Sequence, residues 1–136
     1  MIASRAMTVA LWCLFAAALL HPLSKFPLAA AQAREGRGYD NRNPRAQQER
    51  LTGWGARARA IHANQIESFP LFAAGVLIAL TSAPRSPVVD TLALTYIGAR
   101  VAFAGLYLAD IAPLRSLAWL VGYGVSLALL CGPAWL

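Results

Sequence analysis

The sequence predicts an all-α fold, an integral membrane up-down four-helix bundle, on three observations. First, the chain of 136 residues is 58% hydrophobic and only 13% charged, with a mean hydropathy of +0.51. A soluble domain carries about 45–50% apolar and about 25% charged residues, so most soluble folds and any disordered or collagen-like chain are excluded. Second, the apolar residues gather into four segments, each long enough at ~1.5 Å per residue to cross a ~30 Å hydrocarbon core as a helix. Third, the net charge of +6 is concentrated: eight of the twelve Lys and Arg lie between Lys25 and Arg59, against three acids, Glu35, Asp40 and Glu49. A basic block between apolar spans is the positive-inside signal of a membrane protein. No nucleic-acid recognition motif accompanies it, so nucleic acid is not the expected partner.

One domain, residues 1–136, accounts for the whole chain. The first span is expected at about residues 6–27, with the run Met7 to Leu20 as its core. Arg5, this apolar core and Leu28-Ala29-Ala30-Ala31 also fit the layout of a secretory signal with a small-residue cleavage site. Lys25, Pro22 and Pro27 argue against that alternative, and cleavage would leave three spans behind a basic N-terminus. A basic loop, residues 28–59, follows. Its core is Tyr39-Asp40-Asn41-Arg42-Asn43-Pro44-Arg45, with Pro44 placed to open a helix at its first turn.

Later spans are expected at about 60–81, 88–109 and 114–136, joined by the Pro-containing turns Ser82–Pro87 and Asp110–Pro113. Short connections make neighbouring spans antiparallel. The charge bias puts the first loop and the third connection on the cytoplasmic side, and both termini and the Ser82–Pro87 turn opposite. Cys13 and Cys131 sit in apolar runs without a CxxC spacing or a nearby His, and read as small buried hydrophobes; no metal-ligand set is evident.

Polar residues interrupt these spans. The apolar stretch Phe69–Thr81 is too short to cross alone, so the second span must reach back through Glu67, Asn64 and His62 to about Ala60. Glu67 then lies within the membrane, and Arg100 sits in the middle of the third span at a similar depth. An unpaired charge at the bilayer centre costs at least ~2.5–3.5 kcal/mol, so the two are expected to pair or to face a wet cavity. Arg57, Asn64 and Glu67 share one helical face, with Arg59 and His62 on another, where headgroup or loop contacts are expected. Arg100, Phe103 and Tyr107 form a stripe on the third span, and Arg115 and Trp119 one at the start of the fourth. Arg57, Asn64, Glu67, Arg100, Tyr107 and Arg115 would converge in one half of the bundle. They read either as a structural ion pair that fixes register or as a site for a small anionic ligand that also carries an ammonium group.

The second-span run Arg57-Ala-Arg59-Ala-Ile-His62-Ala-Asn64-Gln-Ile-Glu67-Ser-Phe69-Pro70 resembles the second-helix signature of the MAPEG family, the membrane-associated proteins in eicosanoid and glutathione metabolism. Arg100-Val-Ala-Phe103-Ala-Gly-Leu-Tyr107 and Arg115-Ser-Leu-Ala-Trp119 resemble its third helix and fourth-helix start, and the Asp40–Arg45 loop is similar to that of bacterial members. The resemblance implies a homotrimer in a bacterial inner membrane. It implies glutathione as co-substrate, bound between subunits toward the cytoplasmic side by Arg57, Asn64, Glu67, Arg100 and Tyr107. Arg115 would match the arginine that stabilises the glutathione thiolate, so the expected activity is that of a transferase or peroxidase acting on lipophilic electrophiles or hydroperoxides. Phe103 stands where some members carry His or Tyr, and Trp119 where some carry Tyr. A non-catalytic lipid- or glutathione-binding or scaffold protein of the same fold is the alternative.

Overall fold

The computed structural model describes residues 7–136. Helix α1 spans Val9–Ala33, the short α2 Pro44–Arg50, α3 Gly53–Ser82, α4 Pro87–Leu108 and α5 Ala112–Leu130, followed by a 3-10 turn at Gly132–Ala134. No strand occurs among the described residues. Helices α1, α3, α4 and α5 are each long and apolar enough to cross a membrane, and the protein is an integral membrane protein. A helix satisfies its own backbone polar groups, which lipid cannot do.

The helix ends differ from those expected. Helix α1 does not stop at Pro27. It runs on to Ala33 because Leu28, Ala31 and Gln32 are buried, and this packing outweighs the two backbone N–H donors that Pro22 and Pro27 lack. Leu28–Ala31, the cleavage-like stretch, lies inside this helix. Helix α3 begins at Gly53 rather than near Ala60, with Ala58 and Ile61 buried. Helix α5 ends at Leu130, and Trp135 Nε1 folds back to donate to the Ala128 carbonyl at 3.0 Å.

Within the segment 28–59, Pro44 opens α2 in its first turn, as its fixed φ and missing N–H favour. Two buried amides hold the segment onto α1. Gln47 Nε2 donates to the carbonyls of Gln32 (3.1 Å) and Gly38 (2.8 Å), while Gln47 Oε1 accepts from Gln32 Nε2 and the Asp40 N–H, both at 3.0 Å. All hydrogen-bonding positions of the Gln47 amide are thereby used.

Helix α3 packs on α1 and α5, and α4 on α5 and α1, with α3 also touching α4 across the bundle. At Gly75 of α3, α5 comes close: a Cβ there would lie 2.9 Å from Leu129 Cβ and from the Ser126 carbonyl. The centre holds Phe72 stacked on Tyr96 at 3.7 Å, with Val76, Val89 and Leu129 fully buried around them. Cys13 is buried, but Cys131 is exposed, contrary to expectation, because α5 has already ended there. His62 does not face headgroups either. It stacks on His21 of α1 at 4.2 Å, and its Nδ1 lies 2.9 Å from Ser24 Oγ.

The α4–α5 turn closes on Asp110, which has φ 62°. The Ile111 N–H donates to the Leu106 carbonyl at 2.9 Å and the Asp110 N–H to that of Tyr107 at 3.1 Å, the paired bonds of a Schellman cap. This tight reversal sets Arg115 beside Tyr107.

Candidate functional site

Arg100 is the largest fully buried side chain, only 1% exposed. A guanidinium stays charged at any ordinary pH, so its donors need acceptors. They find them on α3: Nη2 donates to Asn64 Oδ1 at 2.8 Å and Nε to Gln65 Oε1 at 3.2 Å, while the guanidinium lies 4.5 Å from the centre of the Phe103 ring. Asn64 Nδ2 in turn donates to Glu67 Oε2 at 3.3 Å. The expected direct pairing of Glu67 with Arg100 is therefore not formed; Asn64 bridges them. The amide uses its carbonyl toward the cation and its NH2 toward the carboxylate, so one neutral side chain bridges both charges.

Both charged residues do line a common cavity of about 140 Å³, together with Ser68, Tyr96, Tyr123 and Ser126. Tyr96 Oη donates to Ser68 Oγ at 3.1 Å, Ser68 Oγ to the Gln65 carbonyl at 3.3 Å, and Ser126 Oγ to the Gly122 carbonyl at 2.9 Å. A second, more open groove of about 440 Å³ adjoins it, lined by Asn64, Phe103, Tyr107, Arg115, Ser116 and Trp119. Asn64 and Trp119 line both spaces. The Arg115 guanidinium lies 4.5 Å from the centre of the Tyr107 ring, a cation–π distance that orients it across the α4–α5 contact.

Six residues were expected to converge. Asn64, Glu67 and Arg100 meet at the smaller cavity, and Asn64, Tyr107 and Arg115 at the groove. Arg57 stands apart. It pairs with Asp110 at 3.6 Å, the one ion pair within 4.0 Å among the described residues, and lines neither space. The α4–α5 turn brings Asp110 within its reach, which helical spacing alone could not reveal.

Residues 9–135 match the MAPEG family, nearly the whole chain. The chain belongs to the MAPEG family. It matches no curated protein and no solved structure. In this MAPEG protein Ser68, Tyr96 and Ser126 escaped sequence reasoning, as did Gln65 and Tyr123. Gln65 follows Asn64 directly, and one residue's turn of the helix points it at α4, where it is buried. Tyr123 continues the Arg115–Trp119 spacing by another four residues and stacks on Trp119 at 5.1 Å with a 7° tilt. That continued stripe was the available signal.

Proposed function

We propose that this protein is a membrane-bound glutathione-dependent transferase or peroxidase acting on lipophilic electrophiles or hydroperoxides, working as a homotrimer. The observation that carries the reading is the groove in which Asn64, Tyr107 and Arg115 converge from three helices of a MAPEG chain. Its volume falls within the ~300–1,000 Å³ of small-molecule sites. The inner cavity is too small for a tripeptide and suits one of its end groups at most. Glutathione would lie in the groove with Asn64, Arg100 and Glu67 recognising the charged end that enters the inner cavity, and Tyr107 bounding it on the other side. Arg57 would act on the ligand only by releasing Asp110.

Arg115 supplies the chemistry. A nearby cation stabilises a thiolate and lowers the thiol pKa from ~8.5. The thiolate then forms a C–S bond as the leaving group departs with its electron pair. With a hydroperoxide it takes the terminal oxygen as the O–O bond breaks, and a second glutathione thiol displaces water to give the disulfide. The second substrate would arrive from lipid. We place the protein in a bacterial inner membrane with residues 28–59 cytoplasmic.

The non-catalytic reading draws on Phe103 and Trp119, which put no titratable group at those positions. Turnover separates the two. Glutathione consumption with a chlorodinitrobenzene-type electrophile or an organic hydroperoxide supports the enzyme; glutathione binding without turnover of either class supports the binder.

A further inference from the structure

Beyond the groove, a cluster of arginines lies past the end of α1. Arg37, Arg42 and Arg50 line one cleft of about 950 Å³ with Tyr39 and Asp40. None of the three has a carboxylate within 4.0 Å among the described residues. Glu35 and Asp40 also border the cleft, but Asp40 Oδ1 is committed to the turn, accepting the N–H groups of Arg42 at 2.9 Å and Asn43 at 3.0 Å. The cleft wall is not a loose loop, because the Gln32–Gln47 amide network, 0% and 2% exposed, holds it against the last turn of α1. Buried amides are costly unless every donor and acceptor is used, and here they fix at one place the backbone that carries three arginines, set against the two carboxylates of Glu35 and Asp40.

That place is where a lipid headgroup would lie. The exposed face of α1 below it carries Leu19, Leu23 and Phe26, spaced four and three residues apart and 42%, 53% and 72% exposed. Tyr39, a wall of the cleft, sits over Lys25 Nζ at 5.8 Å, which ties the cleft to α1 beside Phe26. An apolar stripe ending in a cationic cleft with a tyrosine at the junction matches an amphiphile with an anionic head and hydrocarbon tails. Arg suits phosphate because its planar fork donates to two oxygens at once.

We propose that this cleft binds the phosphate headgroup of an anionic phospholipid, held by Arg37, Arg42 and Arg50, with its acyl chains along Leu19, Leu23 and Phe26. The site is independent of the glutathione reading.

The test uses the full chain in mild detergent, with phosphatidylglycerol, phosphatidylcholine of the same chains, and inorganic phosphate as probes. Retained lipid is counted by native mass spectrometry and the thermal midpoint is followed. Phosphatidylglycerol should bind and raise the midpoint, and the other two should not. Each cation at an anionic surface is worth roughly fivefold, so the Arg37→Gln/Arg42→Gln/Arg50→Gln variant should bind phosphatidylglycerol at least tenfold more weakly. Arg34→Gln/Arg45→Gln/Arg59→Gln removes the same charge from outside the cleft and should retain binding. The single variants Arg37→Gln and Arg42→Gln, at exposed positions, should each show a partial loss even if the triple variant does not fold. Equal loss in both triple variants would reduce the effect to diffuse charge and overturn the proposal. So would unchanged binding in the cleft variants, or an equal response to inorganic phosphate.

Discussion

Arg100 shows how one residue organises a site inside a membrane. Its guanidinium is held by two neutral amides, Asn64 and Gln65, rather than by a carboxylate. Losing an acceptor from a buried cation costs about 1–3 kcal/mol or more. Gln65→Leu should therefore weaken glutathione binding by roughly tenfold, whereas Gln65→Glu, which keeps the acceptor, should hold the guanidinium in place; calorimetric titration of the two variants is the check. Arg115 should behave differently. It stands at the open groove over Tyr107, and a donor that stabilises developing negative charge is typically worth ~10²–10³ in rate. Arg115→Ala should reduce turnover far more than affinity and raise the pKa of bound thiol, read from thiolate absorbance against pH. Coincident titrations in wild type and variant, with glutathione still bound, would make Arg115 an anchor that reaches to headgroups.

At the scale of elements, small residues decide how closely helices approach. Membrane helices gain little from the hydrophobic effect between themselves and rely on close packing. Gly75 is such a point, with α5 backbone against it. Overpacking of this kind costs about 1–3 kcal/mol, so Gly75→Ala should lower the thermal midpoint measurably. Gly122→Ala is the matched control, because its Cβ would meet Arg100 Cδ only at 3.6 Å, an ordinary contact. Equal midpoints for the two variants would show that α3 and α5 can separate without penalty.

For the whole molecule, depth and exposure together support the proposed partner subunit. Counted back from Ser82 at ~1.5 Å per residue, Glu67 lies about 22 Å along α3, still inside a ~30 Å hydrocarbon core. It is nevertheless exposed on a single chain. A charge facing lipid is costly, and a neighbouring subunit over the mouth of the cavity that Glu67 lines would remove the cost. Mass measurement in several mild detergents should return a trimer; monomer in all of them would remove the homotrimer from the reading. Topology is tested separately. With Cys13 and Cys131 replaced by Ala, single cysteines at Asn41 and Arg85 should be labelled from opposite sides of the membrane.

The existence of four spans, the basic segment between the first two, and the family were legible in the sequence, because segment length, composition and local motifs are properties of contiguous residues. Glu67, Asn64 and Arg100 were also legible, since lipid makes any polar residue conspicuous. What the sequence left open was pairing. Whether Arg100 met Glu67 directly or through Asn64 depended on side-chain reach across two helices. Arg57 went to Asp110 because the Schellman turn brought that carboxylate to it. Helix α1 outran Pro27 because Leu28, Ala31 and Gln32 had partners on other elements. Local propensity sets what each segment can be; which polar group satisfies which is decided only when the helices pack, since a hydrogen bond depends on distances that no single helix contains.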